Sequence, residues 1–209
     1  MAVKNIILDF GGVLLDLDYM RTQQAFVDLG CTNFEQIYSQ AQQTDLFNQF
    51  DKGEVSEAVF FQELKNLSGL TTISIDDIKH AWNAMLINLP EENYTLLKEL
   101  KNKYRVFLLS NTNETHITAF EKLIPETCSL PEFESMFEKM YYSCRINLRK
   151  PDVECFLHVL NDSNLNPEET IFIDDSIQHI EGAKKSGIAP YWLQKGVSTT
   201  SLLKEIKIL

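Results

Sequence analysis

Three short apolar runs, far apart in the chain, each break off into polar residues, and this recurrence constrains the fold more than any other feature. Asn5 to Phe10 reads NIILDF and stops at Gly11-Gly12; Arg105 to Leu109 stops at Ser110-Asn111; Thr170 to Ile173 stops at Asp174-Asp175. A nearly continuous apolar run of this length suits a strand covered on both faces, as in a parallel sheet. Each run is followed by a predicted helix. Strands alternating with helices build a doubly wound α/β sheet, and such sheets gather their ligands at the carboxyl ends of the strands. Three polar endings can therefore converge on one site.

Between the first and second strands lies a segment whose apolar residues recur at helical steps, for example Phe47 with Phe50 and Val55 with Val59, with no strand signal among them. It is far longer than one crossover helix requires. The expected organisation is a parallel-sheet core formed by residues 1–17 and 90–209, with residues 18–89 inserted as a helical bundle. Pro90 marks the return, and Glu91 to Lys103 forms the crossover helix. Met140 to Ser143 and Ile188 to Leu193 read as further strands and Pro151 to Leu160 as a helix. Pro125 to Phe137 reads as an irregular connection.

Composition narrows the partners. The chain of 209 residues is 44% hydrophobic, enough to bury a sizeable core, and carries a formal charge of -11 with no dense Lys/Arg block. Nucleic acids and anionic membranes are held largely through basic contacts, so neither is an expected partner. A phosphorylated metabolite would have to be met by local positive groups. The four cysteines are scattered without a C-x-x-C pair and read as reduced thiols. No basic start or cleavage site resembles a signal peptide, and no run approaches the roughly 20 apolar residues of a membrane span. A cytoplasmic protein, monomeric or weakly dimeric, is the expectation.

The strand endings supply the chemistry. Asp9 precedes two glycines that permit a tight turn and leave its carboxylate exposed to a ligand, so it can act as nucleophile and metal ligand; a solvent-facing turn residue remains the alternative. Ser110-Asn111-Thr112 offers a hydroxyl, an amide and backbone N–H groups suited to an anion, although each of these residues also suits helix capping. In Arg149-Lys150-Pro151 the proline disfavours a helical Lys150 and can fix where its ammonium points, against the alternative of a solvated surface lysine. Asp174-Asp175 places two carboxylates side by side, which repel unless a cation joins them; a helix cap is the other reading.

Taken together and in this order, the four motifs resemble the haloacid dehalogenase-like hydrolase superfamily with its inserted helical cap. The stretches DFGGVLLDLD, DKGEVS, LLSNTN, LRKPD and FIDDS are similar to a bacterial branch that includes α-D-glucose-1-phosphate phosphatase. The resemblance implies a Rossmann-like core, an aspartyl-phosphate formed on Asp9, and Mg²⁺ held by the Asp9 carboxylate, the Gly11 carbonyl and Asp175, with Asp174 beside them. It implies further that Lys150 neutralises charge while Ser110 and Asn111 bind phosphate oxygens, and that the substrate is a sugar phosphate such as glucose 1-phosphate. Two positions depart from the common pattern. Gly11 stands where most phosphatases of the superfamily carry an acid–base aspartate, and His179 stands where many relatives have an aspartate or asparagine. His116, close after the Asn111 loop, can approach the site or simply lie on a helix surface. Arg21, Lys52 and Trp82 are candidates to face the sugar, while Asp16 and Asp18 lie where the chain leaves the core. The alternatives are a 2-haloacid dehalogenase, which needs no metal, and a non-catalytic phosphate-binding protein.

Overall fold

The computed structural model describes residues 2–38 and 45–209. Residues 39–44, within the expected helical insert, lie outside the described residues. The elements run β1 (Asn5–Leu8), α1 (Tyr19–Asp28), α2 (Phe34–Ile37), α3 (Asp45–Asp51), α4 (Glu57–Leu67), α5 (Ile75–Asn83), α6 (Glu91–Lys101), β2 (Arg105–Ser110), α7 (Glu114–Leu123), α8 (Leu130–Glu134), β3 (Lys139–Tyr142), α9 (Ser143–Ile146), α10 (Val153–Asp162), β4 (Thr170–Asp174), α11 (Ile177–Lys184), β5 (Ala189–Trp192) and α12 (Thr199–Glu205).

Among the described residues five strands form one parallel sheet, in the order β3-β2-β1-β4-β5. The period of two along each strand divides its side chains between the faces. Ile6, Leu8, Val106, Leu108, Ile171 and Ile173 join one core cluster, and Ile7, Phe107, Leu109 and Phe172 join the other. Both faces are covered, so the strands read as unbroken apolar runs rather than as alternating ones. Each such buried side chain contributes about 1.5–3 kcal/mol relative to exposure. The chain builds outward from β1 to β2 and β3, then returns to place β4 on the other side of β1. The crevice at the ends of β1 and β4 is therefore a topological switch point.

Helices α1 to α5 bury their own cluster, which includes Phe26, Phe34, Phe47, Phe60, Phe61, Ile78 and Trp82. Their starts are set by capping side chains: Asp18, Ser56 and Ser74 accept backbone N–H groups of Met20, Val59 and Asp77, each cap worth about 1 kcal/mol. The chain leaves and re-enters through two antiparallel extended segments, in which Asp16 N–H donates to Asn88 O and Ile87 N–H to Asp16 O at 2.9 and 3.0 Å.

Two expectations need correction. Within Pro125 to Phe137 a helix forms, α8, because Ser129 and Glu132 make a reciprocal capping box and Pro131 sits in its first turn, where no N–H is required. Val59 is 50% exposed, so its helical spacing from Val55 does not mark a core stripe.

Candidate active site

Asp9 follows β1 directly and donates its backbone N–H to Ile173 O at 2.9 Å, which ties it to the end of β4. The chain then turns back on itself, with Leu14 and Leu15 donating to Phe10 O at 2.8 Å. Gly12 sits at φ +77, and a Cβ there would lie 2.3 Å from Asp175 Oδ2. Only a glycine allows both the left-handed turn and the close approach of the acidic loop. At Gly11 a Cβ would meet Leu17 Cδ1 at 2.4 Å, so an acid–base aspartate there would require the Leu17 side chain to shift.

Lys150 is completely buried, and its Nζ donates to Asp9 Oδ1 at 2.7 Å and to Asp174 Oδ2 at 2.6 Å. Its placement depends on Asn111, whose side-chain amide donates to Lys150 O at 2.8 Å and whose carbonyl oxygen accepts Lys150 N–H at 2.9 Å. The Asn111 side chain is thus engaged in holding the lysine backbone, a role that the motif did not reveal. Neighbouring residues brace the same loop: Thr112 N–H donates to Ser143 Oγ at 2.9 Å, and Asn113, rather than Ser110 or Thr112, caps α7. Ser110 is buried and lines the cavity above Asp9.

On the far side, Gly182 in α11 faces the backbone of Pro151, where an added Cβ would fall 2.2 Å from the carbonyl oxygen. Gly182→Ala is therefore expected to push the Lys150-Pro151 segment outward. The expected cost is about 1–3 kcal/mol in urea unfolding. A variant as stable as the parent would show that the backbones separate freely here.

The two acids of the fourth motif differ. Asp174 is fully buried and its oxygens accept from Lys150, from Ser176 N–H at 2.7 Å and from His179 Nδ1 at 2.9 Å. Burial opposes its ionisation, but Lys150 and His179 hold its carboxyl below the usual range. Asp175 is half-buried, and burial together with the nearby Asp9 and Asp174 carboxylates pushes it up to about 7. Burial likewise raises Asp9, against the pull of Lys150. The Lys150 ammonium, which burial alone would lower, is held above the ordinary lysine range by Asp174 and Asp9.

Oxygen atoms of Asp9, Asp174 and Asp175 all lie within 4.8 Å of one another. Lys150 bridges Asp9 and Asp174, while Asp175, raised by burial first and by the two neighbouring carboxylates second, has no ammonium bonded to it among the described residues. Hard oxygen donors in such a cluster fit a divalent cation such as Mg²⁺.

Above the cluster is a cavity of about 380 Å³ between the sheet ends and α3 and α5, with Asp9, Ser110 and Asp175 on one side and Phe47, Trp82 and Met85 on the other. Trp82 and His116 line it, as does Arg149 of the third motif, together with Asn48, Asp51 and Asn113, which were not named as candidates. Arg149 Nη1 donates to Asn48 Oδ1 at 2.5 Å and pairs with Asp51 at 4.0 Å. Arg149 and Asp51 stood inside the stretches LRKPD and DKGEVS, yet nothing in the sequence indicated that they meet. Arg21 is exposed on α1 and Lys52 pairs with Asp152 at 3.6 Å; neither lines the cavity.

Comparison with known proteins finds relatives over nearly the whole chain. A family model described as haloacid dehalogenase-like hydrolase matches residues 6–192. A D-ribitol-5-phosphate phosphatase from Bacteroides thetaiotaomicron is 30% identical over 201 residues, covering 93% of each chain. Among solved structures, a HAD-family enzyme of the same organism, wild type and in complex with magnesium and inorganic phosphate, superposes with a TM-score of 0.85 at 34% identity over 96% of this chain and 99% of that one. A predicted HAD-like family hydrolase from Porphyromonas gingivalis does so with a TM-score of 0.87 at 28% identity, over 99% and 98% of the two chains.

Proposed function

The chain belongs to the haloacid dehalogenase-like hydrolase family, and from that premise we propose that it is a magnesium-dependent phosphatase of small sugar and polyol phosphates with Asp9 as its nucleophile. The observation that carries this reading is the buried Lys150 ammonium set between Asp9 and Asp174, with Asp175 alongside, at the base of the cavity. The phosphatase name of the ribitol-phosphate relative supports it, as do the magnesium and phosphate bound by the Bacteroides structure. The acidic cluster favours it over dehalogenation, which needs no metal.

In this reading, residues 18–89 form a cap over a core of residues 1–17 and 90–209, a division supported by the separate apolar cluster of α1 to α5 and the paired linkers. Asp9, Asp175 and the Gly11 carbonyl would hold Mg²⁺, which when bound offsets the repulsion between carboxylate and phosphate. Asp174 has both oxygens engaged and acts by positioning Lys150. Ser110 and the Asn111 backbone would bind phosphate oxygens.

An Asp9 carboxylate oxygen attacks phosphorus as the bond to the leaving alkoxide breaks. Water then hydrolyses the aspartyl-phosphate, releasing phosphate and restoring the carboxylate. Lys150 favours the ionised form of Asp9 against the effect of burial and would balance charge during transfer. With no side chain at Gly11, the leaving oxygen takes its proton from a group other than residue 11, which favours substrates with good leaving groups, such as glucose 1-phosphate. The ribitol-phosphate relative argues for including polyol phosphates as well.

The test is phosphate release from a panel of sugar and polyol phosphates. Turnover is expected with Mg²⁺ and none with a chelator. Asp175→Asn is expected to weaken Mg²⁺ activation on the order of 10–100-fold. Because the cation must displace the proton from a carboxyl held at about 7, Mg²⁺ affinity is expected to fall as pH drops below that value, a dependence that Asp175→Asn should flatten. Chelator-resistant turnover would refute the reading.

A further inference from the structure

Trp192, the last residue of β5, donates its indole Nε1–H to Asp175 O at 2.9 Å. The residue is 43% exposed and belongs to none of the three apolar clusters among the described residues, so packing does not account for its place. An indole carries one polar group, a donor, and here that donor is spent on the backbone of the acidic loop.

The Asp175 carbonyl belongs to the Asp175–Ser176 peptide, and the same peptide is held at its other end, where Ser176 N–H donates to Asp174 Oδ1 at 2.7 Å. A planar unit bonded at both ends cannot swing. Its plane fixes ψ of Asp175, and with it the direction in which the Asp175 side chain leaves the loop. Trp192 also pairs with Asp174 in the sheet, and Asp174 O accepts Leu193 N–H at 2.9 Å, so the indole extends the grip of β5 one residue past the end of β4. On the other side the Asp175 carboxylate lies against Gly12, where even a Cβ would fall 2.3 Å from Oδ2. Asp175 is thus located from two directions by the protein alone.

We propose that Trp192 is a positioning residue of the Mg²⁺ site: by pinning the Asp175–Ser176 peptide it sets the aim of the Asp175 carboxylate, and so the affinity for Mg²⁺ and the preference for Mg²⁺ over Ca²⁺. This rests on the phosphatase reading above, in which Asp175 is a ligand. Mg²⁺ demands near-ideal octahedral geometry at about 2.0–2.1 Å, whereas Ca²⁺ accepts flexible sets of oxygens at about 2.3–2.6 Å. A carboxylate held in one direction suits the first ion, and one free to turn penalises it more than the second. Groups that orient a metal ligand typically change affinity about 10–100-fold when they are removed.

The experiment titrates Mg²⁺ and Ca²⁺ by calorimetry, without substrate, into the metal-free full-length protein and its Trp192→Phe and Trp192→His variants. Phenylalanine keeps a ring and deletes the donor. Histidine can restore it, because its Nε2–H occupies the same place in a five-membered ring as the indole Nε1–H. Trp192→Phe is expected to weaken Mg²⁺ binding about tenfold and Ca²⁺ binding less than about threefold, and Trp192→His to recover most of the Mg²⁺ affinity. In the parent, the indole N–H resonance of Trp192, one of two tryptophans in the chain, should shift as Mg²⁺ fills the site.

Unchanged Mg²⁺ affinity in Trp192→Phe would overturn the proposal. Equal losses for the two ions would do so too, because a general loosening of the loop does not discriminate between them. A Trp192 resonance that stays in place at saturating Mg²⁺ would also refute it, and that measurement needs no folded variant. Any of these results beside Mg²⁺-dependent turnover in the parent sinks this inference alone. A parent that binds no Mg²⁺ and releases no phosphate sinks the phosphatase reading with it.

Discussion

Asp9→Asn is expected to reduce phosphate release on the order of 10⁴-fold or more while leaving the protein folded and at least as stable as the parent. The amide nitrogen and oxygen are poor nucleophiles, so the covalent step has no substitute in the site. Stability should survive because burial already opposes the charge on Asp9: its carboxyl is raised above the ordinary aspartate range, so removing the charge relieves a desolvation penalty. Lys150 would keep its bond to Asp174 at 2.6 Å and would not be stranded. Phosphate release measured beside a thermal melt separates the two effects. Retention of more than about 1% of turnover would place the nucleophile elsewhere.

Lys150→Met should do the reverse, costing stability as well as activity. The lysine is wholly buried against Asp9 and Asp174, and a methionine of similar volume would leave both carboxylates without their cation. Removing one partner of a buried ion pair costs about 3–5 kcal/mol, a large share of the roughly 5–15 kcal/mol that holds a domain together. The pH dependence gives the sign. In the parent, Asp174 is depressed below its unfolded value, so its contribution is present above the unfolded pKa and lost as pH falls through the folded one. Without Lys150 the burial of Asp174 is opposed only by His179 and Ser176, its carboxyl rises, and the penalty grows as pH rises. Urea unfolding in chelator should therefore show the variant furthest below the parent at pH 8 and closest to it at pH 5. A constant difference between those values would mean that the buried pair is not the source of the loss. Turnover should fall on the order of 10²–10³-fold, as when one preorganised electrostatic contact is removed.

The sequence carried the strands well because β1, β2 and β4 are buried on both faces, and that burial demands unbroken apolar runs. Their ends shifted by a residue or two: Ser110 and Asp174 are the last residues of β2 and β4, still paired to the neighbouring strands at Tyr142 and Trp192. Helix α8 was less legible, since Pro131 reads as a breaker unless the Ser129–Glu132 box is noticed. At the candidate site, Asp9, Ser110, Lys150, Asp174 and Asp175 could be picked out because each ends or directly follows a strand or precedes a proline. The use of the Asn111 side chain to clamp Lys150 was not, because capping, phosphate binding and backbone clamping demand the same residue type.

By itself, the sequence determined the class of sheet, the strand ends and the acidic and basic groups placed there, because periodicity and backbone chemistry are local. The tertiary structure alone decided which of those groups share a proton or a bond. It set the Lys150 ammonium between carboxylates 141 and 24 residues away and placed Leu17 against Gly11. It also brought Trp82 of α5 against His116 of α7. Coulomb interactions, desolvation and steric exclusion depend on distance and burial in space, and neither is encoded at any single position.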